Sequence, residues 1–179
     1  ADLEHMATAA FKAESQTIAV LGDGQGWLGQ SLYLRELFGR EEGAPPPVNL
    51  QQERVHGEFV RDMIGRGVLT ACHDIADGGL LVALAEMAMA GGLGATLAAE
   101  VTGPPMAWAF GEDQGRYVVT VDGDMLDTLH REASARGVPV RVLGTTGGDA
   151  LAFPDHSRVT VAALTDRHEG WLPGFMANE

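Results

Sequence analysis

His73-Asp74-Ile75-Ala76-Asp77-Gly78-Gly79-Leu80-Leu81-Val82-Ala83-Leu84-Ala85-Glu86-Met87 joins a strand end, a tight turn and a helix in fifteen residues. The run before it, Val68 to Cys72, is strand-like. It ends in two polar residues, passes an Asp-Gly-Gly turn and enters a helix that is apolar almost all round. A strand that delivers a carboxylate to a glycine-rich helix start can present a metal-bound phosphate. The N–H groups of a first helical turn lack intrahelical partners, and the helix dipole adds roughly half a positive charge there. A carboxylate beside them can hold a hard cation such as Mg2+, which prefers oxygen ligands and keeps some of its water. A plainer reading stands beside this one: Asp77 caps the helix, and Gly78 and Gly79 only let the turn close. On the residues alone both stay open, and caps are the commoner of the two.

Upstream of the turn, Thr17 to Leu21 predicts a short strand closed by Gly22-Asp23-Gly24. A helix is expected from near Gly29 to Phe38, with Leu28, Leu32, Leu37 and Phe38 on one side and Gly39 as its stop. Arg40 to Pro47 ends in three consecutive prolines, which exclude helix and favour an extended strap. Asn49 reads as the N-cap of the next helix, with Gln52 three residues on in a capping-box-like arrangement. Val55, Phe59, Val60, Met63 and Ile64 give that helix its buried stripe, and Gly65 or Gly67 stops it.

Downstream, the apolar helix Leu80 to Ala90 has no polar face, so it should lie between layers or under a partner surface. Gly94 to Ala98 reads as a strand, and Gly103-Pro104-Pro105 as a turn into a short helix through Trp108. Arg116 to Val121 carries Tyr-Val-Val-Thr-Val, the strongest strand signal in the chain. Asp124 opens a helix with Met125, Leu126, Leu129 and Ala133 on its buried side, ended by Gly137. Val138 to Leu143, Ala150 to Phe153 and Arg158 to Val161 read as strands, and Ala162 to Met176 as a helical tail. Strands and helices alternate throughout. The expected class is therefore α/β (α+β in its segregated form), a mixed β-sheet flanked by helices.

Composition narrows the functions. At 179 residues the chain supports one domain with a real core. Its formal net charge is -13, and its 12 Lys and Arg are scattered among acids. That argues against a nucleic-acid surface, which needs a basic face, and against anionic membranes. The most apolar window, Leu80 to Ala90, is far short of the roughly 20 residues that span a bilayer. Ala1 to Ala10 carries Asp2 and Glu4 where a secretory signal needs an apolar core, so a cytoplasmic location is expected. The single cysteine, Cys72, excludes an internal disulfide and a Cys-rich zinc site. Within a predicted strand it reads as a buried, inert thiol. The histidines form no pair at metal-binding spacing, and no serine elbow is present. A self-contained catalytic set is not expected.

Two further motifs carry weight. Gly24-Gln25-Gly26-Trp27-Leu28-Gly29 spells G-x-G-x-x-G between a strand and a helix. A dinucleotide site is rejected, because Gly22 and Asp23 separate the first glycine from the strand. The region about 20 residues on, where an acidic residue should end a second strand, is Ala44-Pro45-Pro46-Pro47. Phe110-Gly111-Glu112-Asp113-Gln114-Gly115-Arg116 packs charges of both signs between two aromatic residues. It is either a solvated turn or the rim of a pocket or domain interface formed by Glu112, Asp113, Gln114 and Arg116.

In their order along the chain, Ile18-Ala19-Val20-Leu21-Gly22, Gly29-Gln30-Ser31, the His73-Asp74 to Leu80 turn, Ala83-Leu84-Ala85-Glu86-Met87 and Phe110 to Arg116 form a recognisable series. It resembles the C-terminal, AIR synthase-related domain of the phosphoribosylformylglycinamidine synthase family, the synthetase subunit of purine biosynthesis. The resemblance runs from about Thr17 to the end, and residues 1–16 resemble the connector from a preceding domain. It implies an ATP-dependent C–N ligase that activates the amide oxygen of formylglycinamide ribonucleotide, after which glutamine-derived ammonia displaces the phosphate. It implies that the catalytic residues sit in other domains, that this fragment alone is inactive, and that its partners are those domains and a glutaminase subunit.

The same resemblance implies an auxiliary site for Mg2+ and ATP or ADP, with Asp74 on the metal and Ala76, Asp77, Gly78 and Gly79 facing the nucleotide. Ala76 stands where the family places a serine, which removes a hydroxyl ligand. Glu112 to Arg116 corresponds by pseudo-symmetry to a substrate-lining segment. Aminoimidazole ribonucleotide synthase or another ATP-using relative is the nearest rival. The residues alone also allow a purely structural docking domain.

Overall fold

The computed structural model describes residues 5–101 and 103–177. The chain runs β1 (Thr17–Leu21), α1 (Leu32–Phe38), α2 (Leu50–Gly65), β2 (Ala71–Asp74), α3 (Gly79–Gly91), β3 (Ala95–Leu97) and α4 (Pro105–Phe110). It continues through β4 (Tyr117–Val121), α5 (Leu126–Ala135), β5 (Val140–Thr146), β6 (Ala150–Ala152), β7 (Arg158–Thr160) and α6 (Val161–Met176). The strands form one mixed sheet in the order β2-β4-β1-β5-β3-β6-β7. Every pairing is antiparallel except β3 with β6.

Successive side chains of a strand point to opposite faces, and here both faces are covered. Ile18 and Val20 of β1 and Val118 of β4 pack against Leu80, Ala83, Leu84 and Met87 of α3. Ala19, Leu21, Val119 and Val121 pack against Phe59, Val60 and Met63 of α2 and Leu129 and Ala133 of α5. A strand buried on both faces reads as a continuous apolar run, which is why Tyr117 to Val121 gives so strong a signal. Each fully buried Leu or Phe contributes about 1.5–3 kcal/mol. Thr120 is the polar exception in β4, and Thr70 Oγ1 lies 2.7 Å from its hydroxyl.

The structure departs from the sequence expectations in four places. First, α1 begins at Leu32 behind the N-cap Ser31, and none of its residues is buried. Leu37 and Phe38 are exposed, so the expected buried side is open. Tyr33 instead stacks on Phe110, with ring centroids 5.1 Å apart. Second, β2 lies at Ala71–Asp74 rather than Val68 to Cys72. Val68 and Leu69 are still buried, but the Val68 N–H donates to Met63 O at 2.9 Å and closes α2, so the run starts as a helix stop. Third, His56 takes a buried place on α2 while Val55 is exposed. Fourth, Met125, expected on the buried side of its helix, is exposed. The connector-like segment is packed onto the domain. Phe11 is buried, its N–H donates to Met87 O, and Thr8 bridges to Ala71.

α3 is half of what its composition predicts. One side packs on the sheet, while Leu81, Val82, Ala85 and Met89 line an apolar groove of about 300 Å³ with Phe153 and Leu164. Only Val161 of α6 is buried, and Trp171 and Phe175 near its end are exposed and stacked on each other. No helix among the described residues is long and apolar enough to cross a membrane.

Candidate functional site

β2 pairs with β4 as far as Asp74, and the Ile75 N–H still donates to Arg116 O at 2.9 Å. The chain then leaves the sheet through Ala76 and Asp77, both exposed, and enters α3 through Gly78 and Gly79, both buried. Both glycines have left-handed φ, 80° and 73°. At Gly79 a side chain is doubly barred, since an added Cβ would lie 2.6 Å from Phe110 C. The helix has no side-chain cap, so the capping role read for Asp77 is corrected: Gly78 is the N-cap residue.

Two amides at this helix start have partners, and the Gly79 N–H donates to Ala76 O at 3.0 Å. The Gly78 N–H donates to Glu112 Oε1 at 2.8 Å. The same oxygen accepts from the Leu32 N–H, the first residue of α1, also at 2.8 Å. One buried carboxylate thus holds the starts of two helices, 34 and 80 residues away in sequence. A carboxylate there is favoured by both helix dipoles and by amides that lack other partners.

The next residue repeats the device on a third loop. Asp113 accepts from the N–H groups of Gln25, Gly26 and Trp27 at 2.7, 2.9 and 3.0 Å. Three amides of the glycine-rich motif are therefore engaged inside the protein. Arg116, buried behind Asp113, donates to Gly111 O at 2.6 Å and to Asp113 O at 3.2 Å. Burial pushes its guanidinium down from the ordinary range, and the Asp113 charge opposes that shift. Gln114 is exposed. The segment 110–116 joins three loops as an internal clasp, and its Asp113, Gln114 and Gly115 also line a cleft.

Two histidines, His56, which the sequence did not single out, and His73 of the turn motif, complete the arrangement. Buried His56 presents Nδ1 to Gly115 O at 2.8 Å, which ties α2 to the clasp. His73 presents Nδ1 to Asp74 O at 2.7 Å and Nε2 to Glu86 Oε2 at 2.9 Å, which ties the end of β2 to α3. A polar cleft of about 530 Å³ opens beside the clasp, lined by Asp23, Gln25, Trp27, Asn49, Gln52 and Gln114 among others.

Asp74 offers one carboxylate, 68% exposed. Ala76 offers a methyl group, and the Gly78 N–H is engaged by Glu112. No group of three or more His, Cys, Asp or Glu among the described residues could hold a metal ion. The turn thus offers a magnesium-bound phosphate the side-chain carboxylate of Asp74 and no hydroxyl at position 76. Burial pushes the Cys72 thiol up to about 12, with the Asp74 charge adding to the shift, which disfavours the thiolate.

The fold is a mixed seven-stranded sheet with helices on both faces, its loops joined by Glu112 and Asp113. The chain belongs to the family of AIR synthase related proteins, C-terminal domain, which matches residues 13–154. Among curated proteins it is similar to the phosphoribosylformylglycinamidine synthase subunit PurL of Rhodopseudomonas palustris (strain HaA2). That relative is 52% identical over 99% of this chain and 24% of its own length. The chain thus spans about a quarter of the relatives it matches. Among solved structures, Thermotoga maritima PurL complexed with FGAR gives a TM-score of 0.72 at 18% identity, covering 90% of this chain and 30% of that one. T. maritima PurL complexed with ATP gives 0.70 at 17% identity, over 92% and 28% respectively. At that identity the two structures establish the fold.

Proposed function

We propose that this chain is the C-terminal, AIR synthase-related domain of a phosphoribosylformylglycinamidine synthase subunit in de novo purine biosynthesis. One observation carries the reading: 52% identity over 99% of the chain to a protein of that name. In this reading the whole polypeptide is an ATP-dependent C–N ligase. It activates the amide oxygen of formylglycinamide ribonucleotide with ATP, and ammonia from a glutaminase partner displaces the phosphate to form the amidine. The enzyme acts in the cytoplasm. Mg2+, ATP and the reacting groups belong to domains outside these residues, and residues 1–16 are the connector that leads from them. Phe11, seated in the core under α3, supports a connector fixed to the domain rather than swinging from it.

The domain's own contribution is positional. Glu112 and Asp113 hold the loops after β1 and β2 in place, so the neighbouring domains meet a rigid edge. The engaged amides and the raised Cys72 thiol support a domain without its own chemistry. The full-length polypeptide, given formylglycinamide ribonucleotide, ATP and ammonium, is expected to form the amidine with release of ADP, and this chain alone to form none. Turnover by the 179 residues alone, or a full-length protein inert toward that substrate, overturns the reading.

A further inference from the structure

Three consecutive backbone N–H groups, those of Gln25, Gly26 and Trp27, converge on one carboxylate, that of Asp113. Oδ1 takes the first and Oδ2 the other two. Behind the carboxylate lies the Arg116 guanidinium, 8% exposed, with Nη2 at 3.6 Å from Oδ2. Convergent amides backed by a buried cation form the chemistry of an oxyanion cradle. Its curvature is fixed by the chain and not by the carboxylate alone. Gly26 has φ 77°, and an added Cβ there would lie 2.6 Å from Ala107 Cβ. Gly24 lies under Arg116 and Asp113, both within 3.0 Å of where its Cβ would be. The polar cleft of about 530 Å³ is lined by Gly24, Gln25, Trp27 and Asp113, so small solutes have a route to the cradle.

We infer that Gln25, Gly26, Trp27 and Arg116 form an oxyanion site and that Asp113 is its resident, covalently tethered ligand. The site is closed to free phosphate and carboxylate in the native chain, and it opens to them when the Asp113 side chain is shortened. The inference goes beyond the proposed enzyme, because it holds whatever reaction the whole polypeptide performs. It also separates this loop from ligand-ordered glycine loops: its amides are satisfied before any solute arrives.

Amide hydrogen exchange read by mass spectrometry, on the full-length polypeptide that carries this domain, tests the inference locally. In the native protein the peptide spanning residues 24–28 exchanges slowly, and inorganic phosphate leaves the rate unchanged. In Asp113→Ala the rate rises by roughly tenfold or more, the scale set by losing charge-assisted hydrogen bonds. Formate or inorganic phosphate then slows it again, whereas chloride at the same ionic strength does not. Rescue by formate alone assigns a cradle sized for a carboxylate, and rescue by both a cradle that also admits a tetrahedral anion. The inference is overturned if phosphate protects the native loop, or if Asp113→Ala exchanges like the native protein. It is equally overturned if neither anion restores protection while peptides of β1 and β4 stay native. Should Asp113→Ala unfold β1 and β4 as well, Asp113→Ser, which removes the carboxylate but keeps a hydroxyl acceptor, reads the same quantities against the same outcomes.

Discussion

Replacing Glu112 by alanine removes one oxygen from two helix starts. Oε1 accepts from Leu32 and from Gly78, each at 2.8 Å, and the residue is 9% exposed. A hydrogen bond to a charged group contributes about 1.5–3 kcal/mol. The Gly78 amide is buried and stays unpaired in the variant, whereas Leu32 is half-buried and can turn to water. The expected loss is therefore about 3–5 kcal/mol, less than the plain sum of two bonds. Against a total of about 5–15 kcal/mol for a domain, that brings the folded state close to its limit. Glu112→Gln keeps the shape and one acceptor oxygen but loses the charge, and should cost about 1–2 kcal/mol. Urea unfolding reads both values as shifts of the midpoint at constant slope. A loss below about 1 kcal/mol in the alanine variant refutes the reasoning, since a buried amide cannot lose a charged acceptor so cheaply.

Gly79→Ala meets both a left-handed backbone and the Phe110 carbonyl carbon, and should cost about 2 kcal/mol or more, seen as a lowered thermal midpoint; an unchanged midpoint would mean the turn relaxes freely. The Cys72 thiol, lifted from 9.0 to about 12, carries roughly a thousandfold less thiolate at pH 8 than an ordinary one, so iodoacetamide should label it only after denaturation. Folding holds this proton more tightly, so stability is unaffected below pH 9 and falls between 9 and about 12, a decline that Cys72→Ala should lessen. Calorimetric titration of the domain with Mg-ADP should give no binding heat; a heat that Asp74→Ala abolishes would restore a metal-phosphate role to the β2 turn.

Element types were largely legible because they rest on local signals. Asn49 accepts from the Gln52 N–H at 3.1 Å, as the capping pattern implies, and the apolar run of α3 and the β-branched run of β4 fall where they were read. The errors came where a local pattern had two physical outcomes. Val68 and Leu69 are apolar and buried, but they close a helix rather than open a strand. The leucines of α1 have a helical spacing, yet seven residues held by Glu112 at one end and by Tyr33 stacking stay in place without burying a face. The site was legible as a set of residues and not as a set of roles. Glu112 and Asp113 act on amides 34 to 88 positions away, and contacts of that range leave no periodicity to read. His56 was passed over because a histidine on a helix surface and one turned inward toward a carbonyl look alike in sequence.

The bridge between Thr8 and Ala71 has a consequence for how the molecule behaves in company. β2 ends one side of the sheet, and an open strand there would offer its backbone to any other chain. Thr8 O instead takes the Cys72 N–H at 3.1 Å, so the incoming polypeptide shields the rim it passes. At the opposite border β7 is only three residues long and begins with Arg158, too short and too charged to template a copy of itself. Trimming the chain back to Thr17 would strip the first of these guards and leave the Cys72 N–H at the rim of β2 without the Thr8 carbonyl.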